Sequence, residues 1–239
     1  MGALTDIRIF LTQPHACGYW PGRRARDLVL DPGDPALPAV YEQALALGFR
    51  RSGRDVYRPH CGPCSACQPV RLPAAQFRPD RGQRRTLRRN ADLTFAVAPA
   101  QHSEEHFALY QRYLAARHPD SPMAEPSAVE FEQFLVGSWS PTRFFEWRLR
   151  DRLVAVAVTD VTPNALSAVY TFFDPDLHDR SLGTLAILGQ IDWAVHTARP
   201  HLYLGFWLKG HPKMDYKRRY RPLERLWNGH WIAFDEDTA

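Results

Sequence analysis

Residues 166–175, LSAVYTFFDP, residues 181–197, SLGTLAILGQIDWAVHT, and residues 201–207, HLYLGFW, together decide the fold. The first stretch strings β-branched and aromatic residues up to Asp174-Pro175, so it predicts a strand over 166–173 closed by a turn. In the second, Leu182, Leu185, Ala186, Gly189 and Trp193 recur at spacings of three, four and seven. That spacing predicts one apolar face of a helix over 182–197. The third alternates bulky residues, which predicts a mostly buried strand over 201–207, with Gly205 permitting close backbone approach to a ligand.

Working outward, strands are expected at 144–150 and 153–161 around a tight Asp151-Arg152 turn. A further strand is expected at 93–98, helices at 104–117 and 127–137, and a last short strand at 229–234. From residue 93 onward the chain therefore predicts a mixed α/β domain, a meandering sheet with a helix after its third strand. That order resembles the core of the GNAT acyltransferase fold, as an analogy of architecture.

The N-terminal part reads differently. A helix is expected over 36–48, with Pro38 in its first turn and Gly48 as its stop. Two short strands, 49–51 and 56–58, flank the turn at Ser52-Gly53-Arg54-Asp55. Pro and Gly are dense from Pro14 to Pro79, so residues 1–92 are expected to form a small loop-rich module that needs a staple. The overall expectation is α+β, with this module packed on a GNAT-like domain over 93–239.

All four cysteines lie in that module: Cys17, then Cys61, Cys64 and Cys67 in a Cys-x2-Cys-x2-Cys run. Four thiolates complete a tetrahedral zinc site or hold an iron–sulfur cluster, and Cys17 is the one available fourth ligand. The spacing leaves the two open. Either would be structural, tying the N-terminus to the trio.

The 239 residues are 45% apolar, which indicates a folded chain with a sizeable core. No run of eighteen apolar residues occurs, which excludes a membrane-spanning helix. Residues 1–20 lack the basic start and apolar stretch of an export leader, so a cytoplasmic location is expected. Residues 1–100 carry 15 basic and 8 acidic side chains, a balance of +7, and the remainder carries 15 and 18, a balance of −3. The first hundred contain no lysine; the three in the chain are Lys209, Lys213 and Lys217. An arginine-rich half suits a polyanionic partner, and the tract Arg81-Gly82-Gln83-Arg84-Arg85 with Arg88 and Arg89 is its densest part.

The motifs have a familiar order. Cys17-Gly18-Tyr19-Trp20-Pro21 is followed by Tyr57-Arg58-Pro59-x-Cys61-x2-Cys64-x2-Cys67-x-Pro69-x-Arg71, then Gln83-Arg84-Arg85 and Asn90. In the second half come Ser167 to Pro175, Ser181-Leu182-Gly183-Thr184, Tyr203-Leu204-Gly205-Phe206-Trp207 and Lys213-Met214-Asp215-Tyr216-Lys217. The chain resembles the bacterial aspartate/glutamate leucyltransferases, relatives of the eukaryotic arginyl-tRNA–protein transferases, over nearly its whole length. Two positions depart from the pattern: His211 stands where a cysteine is expected, and Trp20 where leucine is more usual.

The resemblance implies that an acceptor protein's α-amine attacks the ester of leucyl-tRNA, creating an N-degron on proteins beginning with Asp or Glu. The ester is already activated and a free α-amine has a pKa near ~8, so positioning and oxyanion stabilisation carry most of the work. No Ser-His-Asp set or carboxylate pair is present, in agreement, and the transfer itself requires no cofactor. For the tRNA, Gln83, Arg84, Arg85 and Arg88 suit phosphates, and Tyr19 or Trp20 suits stacking on the terminal adenine. Arg180, Ser181, Gly183 and Thr184 form a helix-start loop facing the terminal nucleotide. For the acidic first residue the cations are Arg58, Arg71, Lys213 and Lys217. Tyr170 and Tyr216 would orient the amine, and Asp174 would bind or deprotonate it.

Three other readings compete. Arginine is an alternative donor. An acetyl-coenzyme A N-acetyltransferase would use the 180–185 loop, but Leu185 replaces the small residue such a loop ends on. A metal-stabilised nucleic-acid-binding module explains the cysteines and arginines and leaves the α/β half idle.

Overall fold

The computed structural model describes residues 7–117, 119 and 125–235. The first six residues, part of the stretch read for a leader, lie outside it. Four short strands open the chain: β1 (Ile9–Leu11), β2 (His15–Ala16), β3 (Arg24–Ala25) and β4 (Asp27–Leu30). Helix α1 (Leu37–Ala46) follows, with Pro in its first turn, and then the hairpin β5 (Arg50–Ser52) and β6 (Asp55–Pro59). Strand β7 (Gln68–Pro73) and helix α2 (Arg81–Arg89) complete the first part.

The second part runs β8 (Leu93–Pro99), α3 (Glu104–Arg117), α4 (Ala128–Phe131), β9 (Thr142–Leu149), β10 (Arg152–Val161) and β11 (Ala165–Phe173). It closes with α5 (Leu182–His196), β12 (His201–Trp207), β13 (Glu224–Trp227) and β14 (His230–Ala233). The strands and helices expected from residue 93 onward are all present, with ends displaced by one or two residues, except that the helix expected over 127–137 is α4 continued by a π-helical segment, Glu132–Val136.

One mixed sheet of eight strands, ordered β14-β13-β7-β12-β11-β10-β9-β8, forms the body. A second sheet of four, β1-β4-β6-β5, lies in the N-terminal part. Strands β9, β10 and β11 meander antiparallel, whereas β12 runs parallel to β11 because α5 crosses over between them. Helix α5 buries seven apolar residues in one cluster with Leu166, Leu202 and Leu204. Leu109, Tyr110 and Leu114 of α3 join a second cluster with Phe131, Phe144, Val156, Val158 and Phe172. The alternating faces of β10 and β11 thus supply both cores, which makes a helix–sheet–helix sandwich.

A third cluster joins α1 and the small sheet to Ala165 and Tyr203 of the large one. At this joint Arg51 and Asp160, both fully buried, meet through two bonds of 2.7 and 2.9 Å. The Tyr41 hydroxyl donates to the same carboxylate at 2.6 Å and Thr142 at 2.7 Å. A buried charge pair is tolerable only when its hydrogen-bonding capacity is met in this way.

The division expected at residue 92 does not coincide with sheet membership. Strand β7 lies inside the large sheet, paired with β12 and β13, and α2 packs on α5. Residues 68–73 and 81–89 are strand and helix rather than loop, α2 being fixed at its start by a capping box between Asp80 and Gln83. Among the described residues no helix is long and apolar enough to cross a membrane.

Candidate active-site cleft

The parallel pair β11–β12 holds for only three rungs, Ala165, Leu166 and Ser167 against His201, Leu202 and Tyr203. Beyond these the partnership ends while both strands continue, β12 with an irregularity between Tyr203 and Gly205. Gly205 has φ +74°, a left-handed conformation that side chains resist. A Cβ there would stand 3.0 Å from Nη1 of Arg50, the first residue of β5. Arg50 donates from Nη2 to the Val169 carbonyl at 3.1 Å and lies 5.9 Å from the Phe206 ring. Its guanidinium thus reaches from β12 to β11 across the gap.

Lys217 comes to the same place from a 3-10 turn, Asp215–Arg219. It is 3% exposed, and its ammonium donates to the Phe206 carbonyl and touches Met214 Sδ at 3.8 Å. Burial first, and then the Arg50 charge, hold it well below the usual lysine pKa. Tyr216 beside it is 41% exposed, yet burial of its hydroxyl raises its pKa, with Arg50 and Tyr113 as electrostatic neighbours. Tyr170 sits among Tyr110, Tyr113 and Phe134 at ring distances of 6.1, 6.3 and 5.3 Å, and burial raises its phenol above the ordinary range.

Tyr19 also belongs here: burial raises its pKa, and Tyr57, Arg50 and Cys67 are its charged or ionisable neighbours. His211 accounts for the approach of the opening motif. Its Nε2 lies 3.1 Å from the Tyr19 carbonyl, and its ring meets Tyr19 at 5.9 Å and Trp20 at 5.0 Å, both edge-on. Motifs nearly two hundred residues apart therefore converge on one cleft. Arg50, its central cation, belongs to none of them and was not singled out by sequence.

The four cysteines line a pocket of about 300 Å³ together with Trp20, Arg23 and Arg58. All four thiols are free. The Cys67 thiol is pushed up to about 12, by burial and then by Cys17, Cys61 and Cys64. Among the described residues no three of His, Cys, Asp or Glu form a group that could hold a metal ion. The donor set shares a pocket without closing into a ligand shell.

Several expected residues are already occupied. Asp174 is fully buried, with one oxygen 2.8 Å from Arg112 Nη2 and the other 2.7 Å from Arg152 Nη1, and it also accepts from the Asp176 amide. Those bonds make it an anchor for the end of β11 rather than a base open to an amine. Arg71 pairs with Glu224 at 2.6 Å and stacks 4.4 Å from Trp231, and Arg58 donates to the Leu47 carbonyl over the Phe49 ring. Gln83 is buried by its capping role and a 3.3 Å bond to the Arg219 carbonyl, so it does not face a ligand.

Arg84, Arg85 and Arg88 are exposed on α2, although Arg84 donates to the Pro79 carbonyl at 2.5 Å. Lys213 is exposed. Arg180 pairs with Asp92 through bonds of 2.7 and 2.9 Å. Ser181 has φ +55° and makes no side-chain cap, Thr184 neighbours Tyr220, and Gly183 admits the Phe173 ring, 3.3 Å from where a Cβ would stand.

Comparison with known proteins places names beside this geometry. Residues 15–85 match the family model described as arginine-tRNA-protein transferase, N terminus, and residues 105–227 match arginine-tRNA-protein transferase, C terminus. A protein of Stenotrophomonas maltophilia named aspartate/glutamate leucyltransferase is 56% identical over 97% of this chain and 95% of its own. Proteins of the same name from Xanthomonas euvesicatoria and Xylella fastidiosa are 59% identical over 95% and 92%, and 54% identical over 96% and 92%, of this chain and their own. Among solved structures, L-PGS from Bacillus licheniformis is 12% identical with a TM-score of 0.47, covering 77% of this chain and 53% of that one. This chain thus spans about half the length of that structure.

Proposed function

The chain belongs to the arginine-tRNA-protein transferase family, and from that membership we propose that it transfers leucine from leucyl-tRNA to the α-amine of proteins beginning with Asp or Glu. It is an aminoacyltransferase. The observation that carries the choice of leucine is the 54–59% identity, over nearly the whole chain, to proteins named aspartate/glutamate leucyltransferase. Arginine as donor is favoured only by the wording of the family description.

In the proposed reaction the acceptor's amine attacks the leucyl ester carbonyl. A C–N bond forms, the C–O bond to the terminal ribose breaks, and the amine proton leaves with the ribose hydroxyl. The product is a leucine-extended protein, an N-degron, and free tRNA. Tyr170 and Tyr216 are proposed to orient the amine and Lys217 to attract the acidic side chain, supported by their place around the parted strands. Neutral phenols suit hydrogen bonding to the amine and the oxyanion.

Tyr19 and Trp20 are proposed to stack on the terminal adenine, and Arg84, Arg85 and Arg88 to meet phosphates. Arg180, Ser181, Gly183 and Thr184 are proposed to face the terminal nucleotide. The GNAT-like reading of the sheet belongs to the same proposal, supported by the β9–β12 order and by α5 following the third strand of the meander. The division into 1–92 and 93–239 belongs to the same proposal, the first part carrying the cysteine cluster and the α2 arginines and the second Tyr170, Tyr216 and Lys217. A cytoplasmic location follows from the need for charged tRNA.

Cys17, Cys61, Cys64 and Cys67 are the residues that would hold a structural zinc ion or iron–sulfur cluster. Support comes from their shared pocket and from the burial, and then the neighbouring thiols, that raise Cys67, which a cation would offset. No step of the transfer passes through that group.

The test offers purified protein radiolabelled leucyl-tRNA and peptides beginning with Asp, Glu or Ala. Labelled Asp and Glu peptides and an unlabelled Ala peptide are expected. Absence of label from all three, or label arriving only from acetyl-coenzyme A, overturns the reading.

A further inference from the structure

We propose that Arg50 reads the acceptor's first residue, its guanidinium taking the acidic side chain at the point where β11 and β12 part. The inference rests on the leucine-transfer reading and adds a specificity residue that lies outside every motif of the sequence.

The first observation is an imbalance of charge. Several arginines withdrawn from solvent have acids: Arg51 pairs with Asp160, Arg71 with Glu224, Arg180 with Asp92 and Arg148 with Glu105 and Glu146. Arg50 is half-buried, and among the described residues it has one hydrogen bond, to the Val169 carbonyl, and no carboxylate. A guanidinium offers five N–H donors, so most of the fork is left for a ligand.

The second observation is that the fork is built in. Gly205 leaves Nη1 at 3.0 Å and Cζ at 3.4 Å from the position a Cβ would occupy, and Phe206 lies along its face. Any side chain at 205 would compete for the space the guanidinium holds. Fixed at one corner by Val169, Arg50 meets a ligand with little rotamer freedom to lose.

The third is the company it keeps. Lys217 is a second basic group within electrostatic reach, again with no acid partner among the described residues. Tyr19, Tyr57 and Tyr216 and the Phe206 ring line the same place. Two basic groups in a partly dry, aromatic-walled cleft disfavour one another's charge, and one incoming carboxylate offsets that cost. A neutral first side chain supplies no such gain. RNA phosphate is the other anion of this system, but it is better served by the exposed row of arginines on α2.

The experiment measures kcat/KM for peptides beginning with Asp, Glu, Asn or Gln, using saturating leucyl-tRNA with wild-type protein, Arg50→Gln and Arg50→Lys. Leucyl-tRNA affinity and melting temperature are recorded for each. Arg50→Gln is expected to lose on the order of 100-fold for Asp and Glu peptides, chiefly in KM, and to lose its preference over Asn and Gln. Leucyl-tRNA affinity is expected to stay at the wild-type value. Arg50→Lys, which keeps the charge without the fork, is expected to fall between, and it is the variant read if Arg50→Gln does not melt cooperatively.

Retained preference for acidic peptides in a folded variant overturns the inference, and so does loss of leucyl-tRNA affinity, which would assign Arg50 to the RNA. Failure of wild-type protein to label any peptide instead removes the underlying transfer reading.

Discussion

Lys217 shows how a residue's setting becomes a measurable property. Its ammonium is buried beside Arg50 and bonded to a carbonyl, so its folded pKa lies well below the unfolded value of 10.5. A lowered folded pKa means that stability is full above the unfolded pKa and is lost as pH falls toward the folded one. Lys217→Met keeps the length of the side chain without the charge. Its melting temperature should match wild type above about pH 10.5 and exceed it increasingly as pH falls. Melting curves against pH check this, and an unchanged difference across pH would contradict the burial argument. Residue identity in the sequence predicted a cation at 217, whereas its burial depended on a tertiary fit that spacing does not encode. The same limit explains Asp174: Asp-Pro reads as a turn, but Arg112 and Arg152, far away in sequence, take its oxygens.

Among elements, α2 separates two kinds of basic residue. Its amphipathic winding buries Gln83 and Thr86 and leaves Arg84, Arg85 and Arg88 exposed. If the helix meets phosphates, replacing these three by Gln should flatten the salt dependence of tRNA binding. The slope of log K against log salt should fall by about 2–3, at roughly 0.7–0.9 per contact, with little change in melting temperature. Binding titrations over a salt series measure it, and an unaltered slope would leave α2 a solvated face. The helices α1, α3 and α5 and strands β8 to β12 were legible because each carries a strong period or a β-branched run. Strand β7 was not. Pro69 and Pro73 bracket it and argue against a central strand, yet it pairs β12 on one side and β13 on the other. Only the long-range partners reveal it.

Over the whole molecule, the cleft exists because two sheets are locked together. Arg51 and Asp160 close that joint with Tyr41 and Thr142, and Arg50 enters the cleft from the residue next to this anchor. Arg51→Met strands a buried carboxylate and should cost on the order of 3–5 kcal/mol. Chemical denaturation would register this as a lower midpoint, and a loss below about 1 kcal/mol would show that the joint lies elsewhere. Tyr19, Tyr170, Tyr216 and Lys217, all drawn from the motifs, gather around the parted strands. Arg50 stayed hidden because an arginine at the start of a short strand carries no local signal. Gly205 carried part of it, as a strand glycine marking close approach.

The most direct measurement is tandem mass spectrometry of an Asp-initiated peptide after incubation with the protein and leucyl-tRNA, with arginyl-tRNA in a parallel sample. The account predicts one leucine in amide linkage on the peptide's α-nitrogen, from leucyl-tRNA alone. An unmodified peptide, or arginine in leucine's place, would contradict it.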